Sequence, residues 1–172
     1  FSTNKNIEVH LGRVLQVNLQ EKYLVTQVNP GTELKFDVLI LATGAQHSYF
    51  GHPEWEEFAP GLKNLEQATE IRRRILGAFE RAENEFLPQN QKPFLNFIIV
   101  GGGPTGVELA GAIADISRTV LIHDFRRINP QDTRIILVEA GDRLLASFDE
   151  KLSAHTKNDL ERLGVEVRLS SR

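Results

Sequence analysis

The 172 residues contain no cysteine. That excludes structural disulfides, thiolate metal sites and a redox-active C-x-x-C pair within this window. No apolar run approaches the roughly 18–20 residues needed to cross a bilayer. A positive excess is lacking too: the net charge is -3, which argues against nucleic acid as a partner, since phosphates select basic surfaces. The opening residues Phe1-Ser2-Thr3-Asn4-Lys5-Asn6 hold neither Met nor an apolar core, so a signal peptide is not expected. The chain reads as though cut from the middle of something longer. There is no internal repeat and no low-complexity tract. No G-x-S-x-G elbow, H-E-x-x-H pair or P-loop lysine is present. His47 and His52 lie close together, but the pair has no further ligands and reads as two surface histidines, with no metal site.

Apolar content of 41% and charge of 25% are ordinary for a globular protein. A chain of this size buries about 70% of its extended surface. Its length suits one domain, or one domain with part of another.

Residues 7–41 read as β structure. Ile7, Val9 and Leu11, then Val14, Val17 and Leu19, form short alternating stretches. Residues 23–28 suit the next strand, with a turn at Asn29-Pro30-Gly31. Residues 36–41 are nearly all apolar, which suits a strand covered on both faces. That run stops at Ala42-Thr43-Gly44, where small residues allow close backbone approach. A loop over 45–61 is the expected domain boundary. Residues 62–86 carry apolar side chains at helical spacing, with an i,i+4 pair Glu70–Arg74. The triplet Arg72-Arg73-Arg74 sits among glutamates and reads as a solvated face. Pro88 and Pro93 end the helical region.

The second half predicts β-α-β-α-β, the repeating unit of a parallel, doubly wound sheet. Its strands are expected at 94–100, 134–138 and 165–169, and its helices at 104–117 and 149–163, the last closed by Gly164. Between the first strand and helix lies Gly101-Gly102-Gly103-Pro104-Thr105-Gly106. A lone G-x-G-x-x-G is weak, but strand before and helix after is the context of a dinucleotide site. Gly101 suits the tight turn, Gly103 close approach of a pyrophosphate, and Gly106 close packing of helix on strand. The N–H groups and dipole at the helix start attract phosphate, and Pro104 costs nothing at the first helical position.

Glu139 ends the next strand, where a carboxylate accepts hydrogen bonds from the adenosine ribose. It lies 33 residues after Gly106, against the usual ~20. The excess is read as an insert over 119–132. A carboxylate repels a 2′-phosphate and so favours NADH over NADPH, whereas Arg143, four residues on, weakens this preference because a nearby Arg could receive that phosphate. Glu108 has two readings: a carboxylate stabilised by the helix dipole, or one directed at the nicotinamide end. The cofactor supplies the reactive atoms in hydride chemistry, so the lack of an acid–base pair fits an oxidoreductase.

Extended to Gly101-Gly102-Gly103-Pro104-Thr105-Gly106-Val107-Glu108-Leu109-Ala110, the loop resembles the NAD motif of the type II NADH dehydrogenases, two-dinucleotide flavoproteins that reduce quinones. Phe36-Asp37-Val38-Leu39-Ile40-Leu41-Ala42-Thr43-Gly44-Ala45 resembles that family's strand leading into its A-T-G motif. Tyr49-Phe50-Gly51-His52, Pro60-Gly61-Leu62-Lys63, Ala78-Phe79-Glu80-Arg81-Ala82-Glu83 and Leu137-Val138-Glu139-Ala140-Gly141 are similar as well. The resemblance implies a Rossmann-like α/β NAD-binding domain at 45–172, incomplete at its C-terminus. It implies that 1–44 is the β-meander and final strand of an incomplete FAD-binding domain. Gly101, Gly102, Gly103, Pro104, Thr105, Gly106, Glu108, Glu139 and Ala140 would bind NADH, with Glu108 near the nicotinamide. Val14, which follows Gly12-Arg13, and Ala42, Thr43 and Gly44 would meet FAD.

By the same resemblance the parent passes electrons from NADH through FAD to a quinone. It would sit peripherally on the cytoplasmic face of the inner membrane, touching it only through segments outside this window, and a homodimer fits. The family's FAD-pyrophosphate motif, returning FAD segment, quinone-site residues and membrane helices are not among these residues. The chain is therefore expected to be an inactive internal portion with its FAD site mostly elsewhere. Asp142 stands where many relatives have proline. Two alternatives stay open: another flavoprotein reductase of ferredoxin or sulfide:quinone type, and a redox-silent NAD-binding sensor.

Overall fold

The computed structural model describes residues 5–28 and 31–171. The chain divides into two units, Phe1–Gly44 and Ala45–Arg172.

In the first unit, alternation produces a small antiparallel sheet of three strands, β1 (Val14–Asn18), β2 (Tyr23–Thr26) and β3 (Glu33–Lys35), in the order β1-β2-β3. Asn18 closes the β1–β2 turn by accepting from the N–H groups of Gln20 and Glu21. β2 pairs Tyr23 with Lys35 and Val25 with Glu33, which draws the polar segment 33–35 into a strand that composition does not announce. The Asn29-Pro30 part of the expected turn lies outside the described residues.

Two expectations for this unit fail. Residues 7–11 alternate but form no strand, and Val9 and Leu11 are exposed. Residues 36–41 are not the expected strand buried on both faces: they form no strand, and Val38 and Ile40 are 80% and 83% exposed. The reason is pairing. An apolar run becomes a buried parallel strand only between hydrogen-bonded neighbours and under covering layers, and the described residues supply neither.

In the second unit, helix α1 (Leu65–Asn84) starts at Asn64, whose side chain accepts from Gln67 N–H, while the Gln67 side chain accepts from Lys63 N–H. This reciprocal cap satisfies two donors at the helix start. Its apolar stripe buries Ile75, Phe79 and Ala82. On the outer face Glu70 pairs with both Arg73 and Arg74, and their hydrogen bonds hold its carboxyl at about 2. The arginine triplet is thus a solvated face in the structure too. A single turn, α2 (Pro88–Gln91), and a 3-10 turn through Leu95 follow, so strand β4 (Asn96–Val100) starts two residues later than expected.

Strands β4, β5 (Arg134–Val138) and β6 (Val165–Arg168) form a parallel sheet in the order β4-β5-β6. Helices α3 (Pro104–Asp115) and α4 (Glu150–Arg162) connect them. α3 continues into a π turn over Ile116–Val120. α4 is capped by Asp149, which accepts from Lys151 N–H, and Gly164 follows at φ +77°. Both crossovers step across the sheet in the same direction, so right-handed connections bring both helices to one face. That face holds the core: Ile99, Ile135, Leu137 and Val165 against Phe79, Ala110, Ile113 and Leu160. On the other face Ile136 is buried, but Ile98 is 66% and Val100 77% exposed, so β4 is not the fully buried strand its composition suggests. Arg134, Glu166 and Arg168 form an ion-paired row across β5 and β6 on this side.

The insert between α3 and β5 is anchored. Glu83 accepts from the N–H groups of Arg126, Arg127 and Ile128, and Phe125 stacks 5.9 Å from Phe79. Burial alone would push the Glu83 carboxyl up, but these donors and the Arg127 charge outweigh it and hold the carboxyl low. Among the described residues no helix is long and apolar enough to cross a membrane.

Candidate functional site

The C-terminal end of β4 runs straight into the glycine loop. Gly101 takes φ +104°, a conformation rarely open to other residues, and its N–H donates to Val138 O at 2.8 Å. Gly103 is the N-cap of α3, with extended backbone and no side chain capping the helix. Pro104 occupies the first helical position. The early N–H groups of α3 are therefore left to an external acceptor. Apart from its own chain neighbours, no atom of the described residues lies within 4 Å of where a side chain on Gly103 would begin. Gly106 faces inward instead, where an added Cβ would fall on the Gly101 carbonyl oxygen, with Ile99 just behind it. The contact that requires glycine here is with the loop's own backbone, more than with the strand that sequence reasoning named.

Glu139 stands beside this loop at the end of β5. One carboxylate oxygen accepts from Gly102 N–H at 2.5 Å and the other from Gly141 N–H at 2.6 Å. The insert therefore lengthens the sequence spacing without moving the acidic residue away from the glycines. A carboxylate offers about four acceptor positions, so two remain for hydroxyl donors. Ala140 is exposed on the same rim, and Thr105 is half-buried in the first turn of α3. Glu108 is the fifth residue of α3, past the first turn, and exposed, and no described residue bonds to it. The dipole effect fades within the first turn, so position alone does not explain this carboxylate.

Sequence reasoning missed the other wall of the loop. Leu145 N–H donates to Gly102 O at 2.8 Å, and the buried side chain of Leu144 packs against Gly102. Gly102 is thus held at its N–H by Glu139 and at its carbonyl by Leu145. The hint in the sequence is slight, an apolar pair, Leu144-Leu145, in the turn between strand and helix. Arg143, read as a possible phosphate receptor, points its guanidinium at backbone carbonyls of the same turn.

The remaining sequence candidates lie in the first unit. Val14 opens β1 opposite Thr26, half-exposed. Ala42, Thr43 and Gly44 are exposed, with Gly44 at φ +75°. In the second unit, His47 lies between Gln67 and Glu56, and His52 stacks on Trp55 and meets Glu54. Each histidine has local partners that account for it.

Comparison with known proteins gives this arrangement a context. The chain is 40% identical over 168 residues to the type II NADH:quinone oxidoreductase Ndh of Mycobacterium tuberculosis, covering 97% of this chain and 36% of the relative. It is 34% identical over 179 residues to the mitochondrial external alternative NAD(P)H-ubiquinone oxidoreductase B4 of Arabidopsis thaliana, covering 97% of this chain and 30% of that protein. The solved structure of NDH2 from Plasmodium falciparum in complex with NADH superimposes with a TM-score of 0.70 at 27% identity, over 92% of this chain and 32% of that one. The chain thus spans about a third of the length of the relatives it matches. The family profile of the pyridine nucleotide-disulphide oxidoreductases matches residues 1–172, and the chain belongs to that family.

Proposed function

We propose that the second unit binds NADH, and that the chain is the NADH-binding portion of an FAD-dependent NADH:quinone oxidoreductase. The observation that carries this reading is the convergence on Gly102. The glycine turn is hydrogen-bonded at Gly102 to a single carboxylate, Glu139, and leads directly into an uncapped helix start. The pyrophosphate would take the free N–H groups of α3 beside Gly103, Pro104, Thr105 and Gly106. Glu139 would use its remaining lone pairs for the adenosine ribose hydroxyls, with Ala140 beside it. Glu108, exposed and unpartnered among the described residues, would lie toward the nicotinamide. The names of the relatives, which specify NADH or NAD(P)H and a quinone, support the reaction class.

On this reading residues 45–172 form the NAD-binding domain and 1–44 part of an FAD-binding domain, in which Val14, Ala42, Thr43 and Gly44 would contribute to the flavin site. FAD, when bound, would accept the hydride and pass electrons onward. On the same reading these residues would supply only part of that site. Thr26 is the one described residue of the first unit that is buried, too little to enclose a three-ring flavin.

A carboxylate at the ribose repels a 2′-phosphate, so NADH is the expected ligand. Titration of the chain with NADH and NADPH, followed by nucleotide fluorescence, tests this. NADH should bind at least about tenfold tighter, roughly 1.4 kcal/mol. Equal affinities, or a preference for NADPH, would remove the role given to Glu139.

A further inference from the structure

We infer that Arg143 is a positioning residue for the dinucleotide loop, and not a receptor for a nucleotide phosphate. The inference rests on the reading of Gly101–Gly106 as a dinucleotide cradle. It starts from the turn that joins β5 to α4. In that turn Leu145 adopts φ +50°, a left-handed conformation that a branched-side-chain residue rarely takes. Such a residue persists only where its surroundings hold it. Leu145 also makes the contact that matters, donating its N–H to Gly102 O at 2.8 Å. Leu144, one residue earlier, is buried against Gly102.

The holding group is the Arg143 guanidinium. Its Nη2 donates to Ala146 O at 2.8 Å, and its Nη1 donates to Phe148 O at 2.9 Å and to the buried Ser153 hydroxyl oxygen at 3.3 Å. The planar fork spans two carbonyls of the turn and the first stretch of α4 at once. Lysine, a point charge on a flexible stem, cannot match that spread. Phe148 N–H closes the turn onto Leu145 O at 2.8 Å. Arg143 therefore sets the turn, the turn sets Leu145 and Leu144, and these set one side of Gly102. Glu139 sets the other side.

This arrangement also bears on specificity. To grip a 2′-phosphate with both terminal nitrogens, Arg143 would have to abandon the Ala146 and Phe148 carbonyls and release the strained turn; of its five N–H donors only Nε and one on Nη2 carry no bond to the described residues.

The test uses the 172-residue chain with Arg143→Ala and Arg143→Lys. Two quantities are read: amide hydrogen exchange by NMR, and the affinities for NADH and NADPH. In Arg143→Ala the Leu145 amide should exchange at least about tenfold faster, while the amides of β5 keep their protection. NADH affinity should fall about five- to tenfold, NADPH affinity should fall by the same factor, and Arg143→Lys should recover part of the loss. Unchanged Leu145 exchange or unchanged NADH affinity would overturn the inference. So would a loss confined to NADPH, which would place the guanidinium on the phosphate. Loss of protection spreading through β5 in both variants would also overturn it, because Arg143 would then support the fold at large. If the unaltered chain binds neither nucleotide, the cradle reading fails, while Leu145 exchange still decides the clamp.

Discussion

Gly106 lies so close to the Gly101 carbonyl that it cannot be treated as a free choice, and Gly101 is held to glycine by its φ of +104°. An added methyl at Gly106 falls on the Gly101 carbonyl oxygen, and backbone cannot step aside as a side-chain tip can. Gly106→Ala should therefore displace the glycine turn. Overpacking of this kind costs about 1–3 kcal/mol, to be read from urea denaturation. NADH affinity should fall at least about tenfold; full affinity would show that the loop adapts and that its observed geometry is not what binds. At this scale much was legible: the three glycines and Pro104 follow from their spacing, and Glu139 from its place at a strand end although its spacing is longer than usual. Leu144, Leu145 and the role of Arg143 were not, because their importance comes from what they touch, and no periodicity marks it.

Among the elements, α1 and the insert before β5 depend on one another. Phe79 is fully buried, with ring centres 5.6 Å from Phe97 on β4 and 5.9 Å from Phe125 in the insert. It joins a helix, a strand and a loop at one point. Phe79→Ala should cost about 3–5 kcal/mol, the usual range for emptying a buried aromatic site, measured by chemical denaturation. A cost below ~1 kcal/mol would mean that the insert collapses into the space and is less firmly anchored than its contacts indicate. The helix itself was readable from its 3.6-residue stripe. Its anchoring of the insert through Glu83 was not, since the three N–H donors lie more than forty residues away. Strands were read less faithfully. Residues 36–41 have strand composition without strand structure, and Glu33–Lys35 the reverse. A helix satisfies its hydrogen bonds within itself, whereas a strand needs a neighbour.

At the level of the whole molecule, the family's name includes a disulfide chemistry that these residues cannot perform, having no cysteine. The chain spans about a third of its relatives' length, and its first unit buries little. Purified alone, it should show no flavin absorbance and no NADH-dependent quinone reduction; a flavin spectrum with turnover would defeat this expectation. The sequence by itself determined the parallel β-α-β-α-β order, the glycine loop between β4 and α3, and the acidic end of β5, because these depend on local periodicity and on residues adjacent in the chain. Only the tertiary structure decided that Glu139 reaches Gly102 across the intervening insert, that Arg143 turns back onto its own loop, and that one face of β4 stays open. The first is a contact between segments distant in the chain, the second a local fold-back that no periodicity marks, and the third a lack of cover; all are decided by burial and hydrogen bonding that exist only once the chain has folded.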